Sequence, residues 1–176
     1  NPADIGTLGR QVFFNVTTGD GLDDHHQLSQ EVRIARDSAN MFVQVGAFFF
    51  EEEIDVLSRD FEQNFSDIVY QKTHSGAAFG QVDISLTDRV NLIVGGRVTR
   101  DEKTLRVIPG MNSPSPADTI EIDDSYFNWD VALNFNANDD LSVYGRVAIA
   151  ARGPVTLGRV GFTSLAETET SNSVEF

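Results

Sequence analysis

Hydrophobic and polar residues alternate with a period of two along most of this chain. The clearest stretch is 126–136, where Phe127 and Trp129 share one parity and Asp130 and Asn134 share the other. Because successive side chains of a β-strand point to opposite faces, this period predicts strands. The same period, or an almost wholly apolar run, marks further strands at 27–35, 40–50, 74–86, 90–100, 141–150 and 169–176. The pattern predicts an all-β chain of about seven strands.

The connections between these predicted strands alternate between short and long. The short ones are polar turns at 36–39, 87–89 and 137–140, and the long ones are irregular segments at 51–73, 101–125 and 153–168. Membrane β-barrels place short turns at one rim and long loops at the other. The pattern favours an antiparallel up-and-down meander that forms a partial transmembrane β-barrel wall. We expect residues 1–26 to form an outer loop, and residues 54–65 could hold a short turn of helix.

The period alone does not say which face of the strands meets water. In a membrane barrel the apolar residues face lipid, and the opposite face lines a wet interior. Polar residues predicted on that interior face are Gln81, Arg97, Asp130, Asn134 and Arg146. In a soluble β-sandwich the apolar face would instead pack between two sheets. Both arrangements remain open at this point.

Charge and composition narrow the function classes. The chain of 176 residues carries 27 acidic and 13 basic residues, a net charge of −14, which disfavours binding to nucleic acid. It has no cysteine, so it offers no disulfide and no thiolate metal site. No apolar run reaches the roughly 18 residues that a membrane-spanning helix needs. The chain begins with Asn1 and shows no signal-peptide pattern, so we expect a processed or internal piece of a longer protein.

No group of residues predicts catalysis or a cofactor. His25 and His26 follow two aspartates, but neighbouring residues on an extended chain point to opposite sides and cannot readily share a metal. Three glutamates at 51–53 with Asp55 could attract calcium, although their spacing follows no calcium-loop pattern. No nucleophile elbow or phosphate-binding loop is present. We therefore predict no catalytic residue, no metal ligand and no enzyme.

Several segments, in order, resemble the barrel of TonB-dependent receptors. These are LSQEVRIA at 28–35, VGAFFF at 45–50, AFGQ at 78–81, LTDRV at 86–90, GGRVTRDEK at 95–103, WD at 129–130, LNF at 133–135, DLSVYGRVA at 140–148, RGP at 152–154 and ETSNSVEF at 169–176. Each segment is weak alone, but their order and spacing are specific. The resemblance covers most of residues 27–176.

The resemblance implies a receptor of the bacterial outer membrane. Such a receptor binds a scarce nutrient, by default a ferric siderophore, and imports it with energy from the TonB complex. Outer-membrane lipid would surround the barrel. Residues 1–176 would supply about a third of a barrel of roughly 22 strands. They contain neither the plug domain nor the energy-coupling box of the family. A small self-contained outer-membrane barrel and a soluble β-sandwich binding module are the alternative readings.

Arg97 and Arg146 are the candidate substrate-binding residues. A guanidinium group binds carboxylates in a fork geometry, so either arginine could meet an anionic ferric chelate in the lumen. Alternatively, the two arginines pair with Asp83, Asp130 or the plug. We expect any ligand contact to come from the long loops 51–73 and 101–125 rather than from these two arginines.

Overall fold

The computed structural model describes residues 3–4, 11–12, 21–59, 66–110, 112–113, 115–138, 140–159 and 162–176. All regular structure in these residues is β-strand, as the sequence predicts. The strands are β1 (Ala3–Asp4), β2 (Gln11–Val12), β3 (Gly21–Ser38), β4 (Met41–Arg59), β5 (Ser66–Thr87), β6 (Val90–Pro109), β7 (Asp118–Asn138), β8 (Leu141–Arg152), β9 (Val155–Arg159), β10 (Phe162–Ala166) and β11 (Glu169–Glu175).

Seven of these strands form one antiparallel sheet in the order β3-β4-β5-β6-β7-β8-β11. Each of these seven strands lies beside the next of the seven along the chain, so the predicted up-and-down meander is confirmed. Strands β3 and β11 are its edges. Two smaller ladders join β1 to β2 and β9 to β10.

The three predicted short turns join β3 to β4, β5 to β6 and β7 to β8 at one end of the sheet. Polar side chains satisfy the backbone there. The Thr87 hydroxyl accepts the N–H of Arg89 at 3.2 Å and the N–H of Val90 at 3.1 Å. The side-chain amide oxygen of Asn138 accepts a hydrogen bond from the N–H of Asp140 at 2.9 Å. Small polar residues favour such turns because their side chains bond nearby backbone groups.

The register aligns the apolar side chains of different strands in rows across one face, which we call the apolar face. One row runs through residues that stand opposite each other on successive strands, Val45, Gly80, Gly96, Trp129 and Ile149. On β6 the apolar positions of this face run from Val90 to Val98, and Arg100 follows. That length matches the roughly 9–11 residues with which a tilted strand crosses a bilayer.

Beyond the apolar band the strands continue, which corrects the expected irregular loops. Residues 51–59 and 66–73 lie in β4 and β5, and much of 101–125 lies in β6 and β7. In these outer halves charged residues occupy consecutive positions at 51–53 and 100–103, so the hydrophobic alternation is interrupted while the backbone ladder persists. The pattern therefore could not reveal that these segments are strands.

Two smaller expectations change for the same reason. Residues 21–26, expected within an outer loop, belong to β3. Residues 54–59, expected to allow a turn of helix, belong to β4, and residues 60–65 lie outside the described residues. The long segment 153–168 is not irregular throughout, because it contains the β9–β10 hairpin.

The buried core lies beneath that hairpin and not between two sheets. Val69, Leu105 and Val107 are buried, and Val56 and Ile120 pack against them. These residues stand on the face opposite the apolar face, which we call the polar face, in the outer half of the sheet. Gly158 of β9 lies so close to Val69 and Leu105 that a Cβ atom would come within 3.0 Å of Val69 and 3.2 Å of Leu105. The hairpin thus covers the polar face near the rim that bears the long connections.

Candidate ligand-binding face

The two candidate arginines lie on the polar face, on strands separated only by β7. Both line one shallow depression of about 280 Å³. Its other polar-face residues include Gln44, Phe79, Gln81, Asn128 and Asp130. The sheet register brings these residues together from β4 to β8, over more than 100 residues of sequence.

Arg146 is held by carboxylates. Its Nε atom lies 3.3 Å from Oδ2 of Asp130, and its Nη1 atom lies 3.8 Å from Oε1 of Glu175. The Asp130 carboxylate in turn lies over Gly95, where a Cβ atom would approach Oδ1 to 2.7 Å. Arg146 therefore forms an ion pair with Asp130, which was one of the pairings that the sequence left open.

Arg97 has a different environment, made of aromatic rings and a hydroxyl group. Its guanidinium carbon lies 5.3 Å from the ring centre of Phe48 and 5.7 Å from that of Phe79. Its Nε atom donates to the Thr99 hydroxyl at 3.1 Å. Within the described part of the chain, no carboxylate forms an ion pair with Arg97. A cation over an aromatic face is attracted by the ring quadrupole.

Arg33 stacks on the same phenylalanine. Its guanidinium carbon lies 5.7 Å from the ring centre of Phe79, and its Nε atom bonds Glu31. The Phe79 ring lies directly over Gly46, where any Cβ atom would collide with it. We call Arg33, Phe48, Phe79 and Arg97 the arginine–phenylalanine cluster. It places two cations around one ring on the polar face.

Sequence reasoning did not identify the two phenylalanines of this cluster. The available signal was parity: Phe79 shares the parity of Gln81 and Asp83, which the alternation assigns to the polar face. An aromatic residue among polar positions of a strand points to a local contact with a cation or a ligand.

The family model described as "TonB dependent receptor-like, beta-barrel" matches residues 5–176 of this chain. The chain belongs to the TonB-dependent receptor β-barrel family. No match was found among curated proteins.

One solved structure shares the fold of this TonB-dependent receptor barrel chain. It is the ferric yersiniabactin uptake receptor FyuA from Yersinia pestis, with a TM-score of 0.71 and 20% sequence identity. The alignment covers 85% of this chain and 25% of that receptor, so the chain spans about a quarter of the receptor's length. The family consists of receptors and is not a class of enzymes. In the described residues no helix is long and apolar enough to cross a membrane.

Both histidines and two of the three glutamates considered as metal ligands have separate partners in this TonB-dependent receptor chain. His25 lies 3.1 Å from Oε1 of Glu52, and His26 lies 3.2 Å from Oδ2 of Asp24, on opposite faces as the extended backbone requires. Glu53 binds Lys72, and the hydrogen bond from that ammonium group lowers the pKa of Glu53. Among the residues that the structure describes, no three such side chains are placed to hold a metal ion.

The outer segments expected to supply ligand contacts contain a structural clasp. Asp67 is fully buried near the outer end of β5. Its carboxylate accepts the Ser115 hydroxyl at 2.5 Å and the N–H of Gly110 at 3.3 Å. These bonds tie the connection between β6 and β7 to the neighbouring strand. Asp67 therefore holds the rim together, and its carboxylate does not face an open site.

Proposed function

We propose that the protein containing this chain is an active transporter of the bacterial outer membrane that takes up a ferric siderophore. The observation that carries the proposal is the two-sided sheet, with a continuous apolar band on one face and arginines on the other. In a membrane barrel these faces meet lipid and a wet lumen respectively. Membership of the TonB-dependent receptor family supports the transport class.

The exposure of the apolar face favours a lipid environment over a soluble one. Val94 is 41% exposed and Phe127 is 57% exposed, although both lie at the centre of the sheet. A soluble protein rarely leaves so wide an apolar area uncovered. Trp129 and Phe127 stand near the outer boundary of the band, where aromatic girdles of membrane barrels lie. These features argue against the sandwich, in which the same side chains would be packed between sheets.

Arg97 is the stronger candidate for contact with an anionic ligand. Its charge is shared with aromatic rings and not with a carboxylate, so it can still attract an anion. Arg146 already neutralises Asp130 and part of Glu175, which makes it a weaker contact. A ferric chelate is the ligand class that we propose, because the FyuA neighbour is named as a ferric siderophore uptake receptor. The partner that supplies energy would be the TonB complex, reached through a plug region.

The experiment is uptake of radioactive iron, presented as purified ferric siderophores, by cells that carry the intact receptor as their one siderophore receptor. We expect uptake that disappears when TonB is deleted. Arg97→Ala should raise the half-saturating concentration of the ferric siderophore about tenfold, as loss of one charged contact in a partly buried site does. Arg146→Ala should have a smaller effect.

Arg106→Ala is the matched control, because Arg106 stands on the apolar face above the lipid band and away from the lumen. Its uptake should equal that of the unmodified receptor. Uptake that persists without TonB would contradict the transport class. TonB-dependent uptake of cobalamin or a carbohydrate, without iron uptake, would keep the class and reject the siderophore.

A further inference from the structure

The outer half of β7 pairs with a neighbouring strand on one side only. Strand β6 pairs with β7 from Asp118 to Phe135, whereas β8 pairs with it only from Trp129 to Asn138. Beyond that point the N–H of Ala151 bonds the side chain of Asn128 and not the β7 backbone, and residues 146–152 of β8 pair with β11. Within the part of the chain that the structure describes, residues 118–128 therefore form an open edge at the outer rim.

Hydrogen-bond parity shows which backbone groups point to this edge. The N–H of Asn136 donates to the Arg89 carbonyl at the β6 side, so even-numbered residues of β7 face β6. The odd-numbered residues must face the opposite side. Consistently, the N–H groups of Thr119 and Ser125 bond the preceding aspartate side chains at 2.9 Å and 2.8 Å and not a strand. The backbone groups of residues 121 and 123 between them point outward along the same edge.

A groove of about 440 Å³ runs beside this edge. It is lined by Glu121, Ile122, Asp123, Asp124, Pro154, Leu165, Glu167 and Thr168. Four of these residues are acidic and none is basic. Asp123 is paired with Arg100, and the Asp124 carboxylate accepts the Thr168 hydroxyl and the N–H of Ser125, which leaves Glu121 and Glu167 as the carboxylates beside the groove without an ion pair among the described residues. Leu165 is 47% exposed and gives the groove an apolar wall.

We propose that this edge binds a basic, extended polypeptide segment from outside the cell, which adds to β7 as an extra strand. An open strand edge is a template for such addition, and here the backbone groups of residues 121 and 123 match those of an extended peptide, while the N–H groups of Thr119 and Ser125 are held by aspartate side chains. Carboxylates along the groove select lysine or arginine side chains at alternate positions. The segment 119–127 is long enough for a strand of about 30 Å. Pairing with the same edge of a second copy is disfavoured, because like charges would stand opposite each other.

The proposal does not depend on the transported ligand, so its test is a binding measurement on the purified intact receptor in detergent. The probe is a fluorescent peptide of about ten residues with alternating lysine and valine, a length typical of strands. Two derivatives carry N-methyl groups on one or the other alternate set of backbone amides. They have the same charge and composition, but only one set of amides faces β7. We expect binding of the parent peptide, loss of binding for one derivative and retention for the other.

The groove charge is tested with the receptor variant Glu121→Lys/Glu167→Lys. Affinity should fall about tenfold, since two charge contacts at a half-exposed site are reversed. The matched control is Asp88→Lys/Asp140→Lys, which changes the net charge equally at the opposite rim and should bind normally. The proposal is overturned if the parent peptide does not bind, if both methylated peptides bind equally, or if both charge variants weaken binding alike.

Discussion

On the apolar face of β6, the half nearest the short turns presents Val94 and Val98, whereas the outer half presents Arg100 and Glu102. The same change occurs in register on β7, where Phe127 gives way to Ser125 and Asp123. The backbone pairing continues without interruption through both halves. In the membrane orientation that we propose, a single pair of strands therefore passes from lipid into water, and only its side chains mark the boundary.

The comparison shows that different forces hold the two halves together. In the membrane orientation that we propose, lipid surrounds the lower half, the half nearest the short turns. Its backbone groups must then bond within the sheet, and its apolar face needs no protein cover. In the outer half, water competes for the same bonds. Cross-strand ion pairs and the small core beneath the β9–β10 hairpin supply the additional cohesion there. Four substitutions test this difference.

The largest effect is expected from a charge placed in the lipid-facing row. Val94→Arg should destabilise the folded barrel by about 2–4 kcal/mol, the cost of an arginine at the bilayer midplane. The measurement is the folded fraction of the intact receptor in membranes, read from its heat-modifiable mobility on gels. Thr104→Arg, on the same face of the same strand above the band, should fold normally. Equal losses for both variants would contradict the assigned boundary.

The next effect concerns the core of the outer half. Leu105→Ala should weaken docking of the β9–β10 hairpin by about 2–3 kcal/mol, the low end for a buried leucine, because Leu105 is 1% exposed but lies in a small core. Amide hydrogen exchange of β9 and β10 in the intact receptor should accelerate. Leu157→Ala is the control, because Leu157 lies in the same hairpin with 49% exposure and should leave exchange nearly unchanged. Unaltered exchange in the Leu105 variant would show that this core does not hold the hairpin.

A smaller effect is expected in the arginine–phenylalanine cluster of the lower half. Phe79→Leu removes the ring that both Arg33 and Arg97 contact, and should cost about 1–2 kcal/mol for two cation–π contacts. Denaturant unfolding of the intact receptor measures the loss. Phe50→Leu is the comparison, since within the described residues no arginine stacks on Phe50. If both variants lose the same stability, the cations contribute nothing.

The smallest effect belongs to the ion pair of Asp123 with Arg100, whose Nε and Nη2 atoms lie 2.9 Å and 2.8 Å from the carboxylate oxygens. The hydrogen bond from Arg100 lowers the pKa of Asp123 below its ordinary value. The ion pair therefore stabilises the fold fully at pH values above the pKa that Asp123 has in the unfolded chain. This stabilisation is lost as the pH falls through the lower pKa that Asp123 has in the folded protein. Concentrated salt should also weaken it, because the pair is exposed.

The measurement is the difference in thermal stability between the unmodified receptor and Asp123→Asn. We expect that difference to be largest near neutral pH in dilute buffer and to vanish in acid. Glu121→Gln removes a neighbouring carboxylate that forms no ion pair with the described residues, and should show no such pH dependence. A difference that stays constant from neutral to acidic pH would exclude the ion pair as its cause.

Sequence patterns determined the parts of this protein where one face of a strand differs from the other. The seven strands and the opposite placement of Trp129 and Asp130 follow from a period of two, because successive side chains of a strand point to opposite faces. The short turns follow from their small polar residues. The ordered segments that resemble TonB-dependent receptors led to the family that the comparison confirms.

Tertiary structure alone decided the outer half and the partners within the candidate site. Residues 51–59 and 101–109 are strands because neighbouring strands accept their hydrogen bonds, and the consecutive charged residues at 51–53 and 100–103 interrupt the periodic signal in the sequence. Likewise, Arg146 pairs with Asp130 while Arg97 stacks on phenylalanine, although both arginines stand at similar positions in their strands. That difference arises from the register between strands, which brings together residues that are far apart along the chain.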